Sequence, residues 1–145
     1  MLAGAQLSEK GQGLRMPTPL VMVACADPAI SDALRLFLGQ HGCRVALFQI
    51  GERLLRELPE QRPGLIVIDS EFDDDKGIAL LRQILSIDHS LPVVVLGKQG
   101  DVAAGVLAMR SGAADFLEKP FFQVALRRNL ERALGSATDA EDSTA

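Results

Sequence analysis

A chain of 145 residues is the size of one domain, and an apolar content of 48% is enough to build a core. With no Trp or Tyr and 4% aromatics the chain lacks a stacking platform for single-stranded nucleic acid, and a net charge of −4 argues against a nucleic-acid surface. No apolar run exceeds strand length, which excludes a helical membrane span in this sequence.

Residues 1–18 mix Gly, Gln, Ser, Lys and Pro without periodicity and read as a flexible arm, without the charged head and apolar stretch of a secretory signal. Residues 20–25 read as a strand. Residues 29–40 read as a helix with Ile30, Ala33, Leu34, Phe37 and Leu38 on one face and Gly39 and Gly42 as C-cap candidates. A second strand follows at 43–48, then a short helix at 51–58 closed by Pro59. "LIVID", ending in Asp69, is a third strand, apolar on both faces. Residues 76–88 form a helix with Leu80, Ile84 and Ile87 in register. "PVVVL" is the fourth strand, 101–110 a helix with Asp101 as N-cap, 115–118 the fifth strand and 122–134 the last helix, with Leu126, Leu130 and Leu134 in step. Residues 136–145 are small and acidic and read as a solvated tail or linker. The domain proper is therefore expected at 19–135.

Five strand–helix units imply a parallel sheet with helices on both faces and right-handed crossovers. The economical arrangement is a flavodoxin-like three-layer sandwich with strand order 2-1-3-4-5. Strands 1 and 3 are then neighbours whose connections leave in opposite directions. Ligands bind at such a switch point, beyond the carboxyl ends of the strands. The segments delivered there are "ACAD", "DSEFDDDKG", "GKQGD" and "EKPF".

Asp69 ends an apolar strand at that crevice. A carboxylate there can attack phosphorus, or it can simply cap a loop. Lys119, before Pro120, can reach the crevice to pair with a carboxylate or phosphoryl oxygen, or it can lie on the surface; the X-Pro bond permits a cis peptide. Cys25 and Cys43 suit neither a disulfide framework nor a zinc site, and free thiols point to the cytoplasm.

Several runs together resemble the receiver domain of two-component response regulators. They are "LIVID" ending in Asp69, Gly77 eight residues on, "GDVAAGVLAMRSGA" and "SGAADFLEKPF" at 111–121. The resemblance covers roughly residues 19–134. It implies that Asp69 is the phosphoacceptor for a histidine kinase, that Lys119 is the pairing lysine, and that Mg2+ is bound by an acidic pair at the end of strand 1, by the phosphoacceptor and by the Glu71 carbonyl. It also implies a switch hydroxyl at position 97 and a switch aromatic at Phe116.

The sequence departs from that pattern. Ala24 and Cys25 stand where the acidic pair belongs, and neither suits a hard cation. Asp27 is the substitute ligand, or else the N-cap of the first helix with Pro28 at its first position. Gly97 offers no hydroxyl. Asp73 replaces a Pro and is followed by Asp74 and Asp75, a triplet that recruits a cation, repels a phosphoryl donor or is only a solvated loop. The expectation is a receiver that is weakly phosphorylated or phosphate-independent, with Mg2+ in doubt. It would act through a histidine kinase or other signalling protein, or as a homodimer through the helix 4–strand 5–helix 5 face. It would not be an enzyme, and would contact neither nucleic acid from this chain alone nor a membrane. The alternative is a conventional receiver phosphorylated at Asp69.

Overall fold

The computed structural model describes residues 18–120 and 122–135. The arm expected at 1–18, apart from Thr18, and the acidic tail expected at 136–145 lie outside the described residues. Five strands, β1 (Leu20–Ala24), β2 (Arg44–Phe48), β3 (Leu65–Asp69), β4 (Val93–Gly97) and β5 (Asp115–Glu118), alternate with five helices. These are α1 (Pro28–Gln40), α2 (Gly51–Gln61), α3 (Gly77–Ile87), α4 (Val102–Arg110) and α5 (Gln123–Leu134). Every pairing is parallel and the sheet order is β2-β1-β3-β4-β5, the flavodoxin-like order expected. No helix among the described residues is long and apolar enough to cross a membrane.

Strand alternation divides the core into two layers. Met22, Ala24, Ile66, Ile68, Val93 and Val95 face one side of the sheet, under α2, α3 and α4. Val21, Val23, Leu65, Val67, Val94 and Leu96 face the other, under α1 and α5. All five residues of β1, β3 and β4 are buried, which is why these strands read as apolar runs up to the Asp69 that ends β3 and the Gly97 that ends β4.

Three local expectations change. The second helix does not stop at Pro59 but runs to Gln61. Buried Leu54 and Leu58 anchor it, and the Arg62 N–H, in a left-handed cap, donates to the Leu58 carbonyl at 3.1 Å. Gly39 lies inside α1, and Gly42, at φ +80°, is the glycine whose freedom ends the helix. Ile87 is 50% exposed rather than in register with Leu80 and Ile84, because α3 ends there, past the edge of the core.

Between β3 and α3 the chain makes a four-residue helical turn, Phe72–Asp75. Phe72 is buried, while Asp73, Asp74 and Asp75 are exposed at φ 55°, 57° and 64°. Asp is among the side chains that best tolerate left-handed backbone, so this conformation gives the acidic triplet a local reason. Gly77 then passes tightly under the end of β3. A Cβ there would lie 2.8 Å from the Ser70 Cα and closer still to the Asp69 carbonyl oxygen. Gly77→Ala is expected to cost about 1–3 kcal/mol through this backbone overlap. A urea midpoint unchanged from the parent would show that the turn yields freely.

Candidate functional site at the carboxyl ends of the strands

The connection after β1 leads to β2 on one side and the connection after β3 leads to β4 on the other, so a crevice opens between them. Asp69 sits at its floor and is 4% exposed. The Ser70 N–H still donates to the Leu96 carbonyl at 2.7 Å, which holds the end of β3 in the sheet. The chain then turns back, and the Glu71 N–H donates to Asp69 Oδ1 at 3.0 Å. From the far edge, the Lys119 N–H donates to the Gly97 carbonyl at 2.8 Å, one step beyond the β4–β5 ladder. The Lys119–Pro120 peptide is cis.

The structure brings Lys119 and Asp69 together. The ammonium donates to Asp69 Oδ1 at 3.0 Å and Oδ2 at 3.1 Å, and to Glu71 Oε1 at 2.6 Å. Glu71 Oε2 in turn meets Lys98 Nζ at 3.2 Å. Two carboxylates and two ammoniums thus form one network. Its inner part is nearly dry, with side-chain exposures of 5% for Asp69 and 12% for Lys119, and its outer part is wet.

The hydrogen bond from Lys119 holds the Glu71 carboxyl below its usual value, against a smaller opposing effect of burial and with help from Lys98. Burial works against the Lys119 ammonium, but its bonds to Glu71 and Asp69 together outweigh burial and raise its pKa. A carboxyl depressed on folding stabilises above its unfolded pKa and loses that contribution as pH falls through its folded pKa. An ammonium raised on folding stabilises below its unfolded pKa and loses it as pH rises through its folded pKa. The network is therefore expected to contribute fully between the usual values of 4.5 and 10.5, and to fade outside that window at both ends. Urea unfolding of the parent and of Glu71→Gln across pH checks this. A difference between them that persists unchanged well below the window would contradict it.

Other expected residues lie apart from this network or meet it differently. Ala24 is fully buried in the sheet core and paired with Ile68. Cys25 is also fully buried, and its thiol lies 3.7 Å from Asp69 Oδ2 and 3.7 Å from the Asp27 carbonyl. Burial raises its pKa, so the thiol is neutral at pH 7. Asp27 is exposed and turned to α1, where its Oδ1 accepts from the Ala29 N–H at 2.9 Å, with Pro28 at the first helical position. Among the described residues no group of three or more His, Cys, Asp or Glu side chains converges to hold a metal ion.

Gly97 and Phe116 are packed on each other. A Cβ on Gly97 would lie 2.6 Å from Phe116 Cε1 and closer still to Cζ, while one on Gly105 would lie 3.1 Å from Cδ2. Two glycines therefore form the walls of a slot that the ring fills. Sequence reasoning missed Gly105, the Glu71 side chain and Lys98. "GKQGD" did place Lys98 at the crevice, but its partner is 27 residues earlier in the chain, and only the fold joins them.

A family model described as the response regulator receiver domain matches residues 21–131. The chain is 40% identical over 114 residues to the C4-dicarboxylate transport transcriptional regulatory protein DctD of Pseudomonas aeruginosa, covering 79% of this chain and 25% of that protein. It is 34% identical over 115 residues to the transcriptional regulatory protein FixJ of Rhizobium meliloti, covering 79% and 56%. The chain thus spans a quarter to about half the length of these relatives. Among solved structures, the receiver domain of NtrX from Brucella abortus superposes with a TM-score of 0.72 at 29% identity, covering 81% of this chain and 98% of that one. A putative response regulator from Chloroflexus aurantiacus shares the fold with a TM-score of 0.76 at 24% identity, covering 82% and 99%.

Proposed function

The chain belongs to the response regulator receiver domain family, and from that premise we propose that it is a two-component signalling module whose output runs through protein contacts and does not depend on a phosphoryl group at Asp69. The observation that carries this reading is the charge balance of the network around Asp69. An acidic pair in place of Ala24 and Cys25 would leave a strong excess of negative charge beside Asp69, which a divalent cation relieves. Here Asp69 and Glu71 are matched by Lys119 and Lys98, and the network is neutral.

Mg2+ takes near-octahedral oxygen ligands at short range. The side chains offered are the carboxylates of Asp69 and Glu71, both already held by Lys119, a neutral thiol and a methyl, while Asp27 is engaged as a helix cap. These residues do not fit Mg2+. Phosphoryl transfer relies on positioned charge to stabilise its transition state, and this crevice has little to spare.

Output would use the face made by α4, β5 and α5. Val102, Val106 and Met109 are 73%, 46% and 47% exposed along one side of α4, beside Gly105 and Phe116, in a shallow groove of about 520 Å³. An apolar patch of this kind marks a contact surface for a kinase, another cytoplasmic signalling protein or a second copy of the chain. Val106→Glu is expected to leave the fold intact and abolish self-association or partner capture. Light scattering that finds the parent monomeric, together with no bound partner, would count against this surface.

Intact mass after incubation with a small acyl phosphate and Mg2+, beside an Asp69→Asn control, tests the reading. No adduct on the parent is expected. One phosphoryl group on the parent, absent from the control, would favour the second reading, a conventional receiver phosphorylated at Asp69 by a histidine kinase. That reading draws on the 3.0 Å approach of the Lys119 ammonium to Asp69.

A further inference from the structure

Lys119 makes its shortest contact with Glu71, at 2.6 Å, and not with Asp69, at 3.0 and 3.1 Å. The second Glu71 oxygen is bound by a second cation, Lys98, at 3.2 Å. One carboxylate therefore spans two ammoniums, one of which also holds the strand-end Asp. A tetrahedral oxyanion entering this crevice would ask for the same two donors. We propose that Glu71 is a built-in anion that occupies the oxyanion seat at Lys119 and excludes phosphate-class anions from it.

The chain geometry favours the internal ligand. The Glu71 N–H donates to Asp69 Oδ1 at 3.0 Å, so the Glu71 backbone is already fixed and only its side-chain rotors must be ordered. A tethered group of this kind competes at high effective concentration against a free anion, which must also give up translational freedom. Charge acts in the same direction. With Glu71 in place the four-group network is neutral; without its charge, the Asp69 carboxylate is left against the two ammoniums of Lys119 and Lys98 and the network carries one net positive charge. The two arms are unequal. Lys119 is 12% exposed and holds Glu71 in a partly dry setting, whereas Lys98 is 66% exposed and contributes little. Glu71 is thus a positioning residue that sets whether Lys119 is available.

This inference rests on reading Asp69 and Lys119 as the family's pocket, but it fails or holds separately from phosphate-independence. Inorganic phosphate is titrated into the full chain and followed by the amide resonances of the Asp69–Phe72 loop. Glu71→Gln is expected to bind phosphate about tenfold more tightly than the parent, the equivalent of one charge-assisted hydrogen bond freed on Lys119. The gain is expected to vanish when Lys119→Met is added. Affinities within about twofold of each other, absent binding in both included, would overturn the inference, as would a gain that survives loss of Lys119. Glu71 is over a third exposed, and Glu71→Ser gives a second, shorter replacement expected to show the same gain. A merely structural role for Glu71 would alter stability without raising phosphate affinity. The acyl phosphate assay on the parent chain judges phosphate-independence, and the ratio of phosphate affinities judges this proposal.

Discussion

Lys119→Met is expected to destabilise the fold by about 3 kcal/mol, the lower end of the range for breaking a buried ion pair. The substitution keeps most of the side-chain volume but removes the cation from a carboxylate that is 4% exposed. Asp69 would retain the Glu71 N–H and the weak thiol contact of Cys25, neither of which neutralises its charge. Glu71 would lose its shortest bond too, but it is wet enough to rehydrate and still has Lys98. The cost is therefore concentrated on Asp69. Adding Asp69→Asn to Lys119→Met removes the stranded charge and keeps an oxygen for the Glu71 N–H. It is expected to recover about 1–2 kcal/mol. Urea unfolding of the four proteins in the cycle measures both quantities. A loss under about 1 kcal/mol for Lys119→Met, or a further loss on adding Asp69→Asn, would mean that the pair is hydrated and adds little.

Gly97→Thr is expected to be the second large effect. It installs the hydroxyl that the family resemblance calls for, yet the Phe116 ring already fills the space a Cβ needs. Either the ring leaves its slot or the end of β4 moves, at a cost of about 1–3 kcal/mol. The ring has a route outward, since Phe116 is only half-buried and opens onto the groove along α4. Substitution at Gly97 should therefore change the surface proposed for partner contact as well as stability. Adding Phe116→Ala is expected to return most of the loss, because the double variant frees the slot. Two separate penalties that simply add would show that the two residues do not oppose each other. Ring resonances of Phe116 provide an independent check, with a shift toward the solvent-exposed range expected in the single variant.

The fold was legible in the sequence because its signals are local and repeated. Continuous apolar runs at 65–68 and 93–96 are what a strand buried on both faces requires, and the helical periodicity between them leaves a parallel sheet as the arrangement that buries both. Misreadings fell where tertiary packing overrides a local rule. Pro59 stays inside α2 because buried Leu58 and the Arg62 cap hold the helix on the core, and Ile87 faces water because α3 outruns the sheet.

The same division holds for the crevice. Sequence alone brought Asp69 and Lys119 to one edge, on the ends of their strands, and showed that Ala24, Cys25 and Gly97 bring no charge or hydroxyl. Only the tertiary structure decided how these groups pair. Asp27 caps α1 instead of facing Asp69, Glu71 turns its side chain onto Lys119 and Lys98, and Phe116 fills the space beside Gly97. Pairing of this kind depends on a few ångströms between segments far apart in the chain, and Coulomb and packing energies vary steeply over that distance. Periodicity and spacing carry no information at that scale.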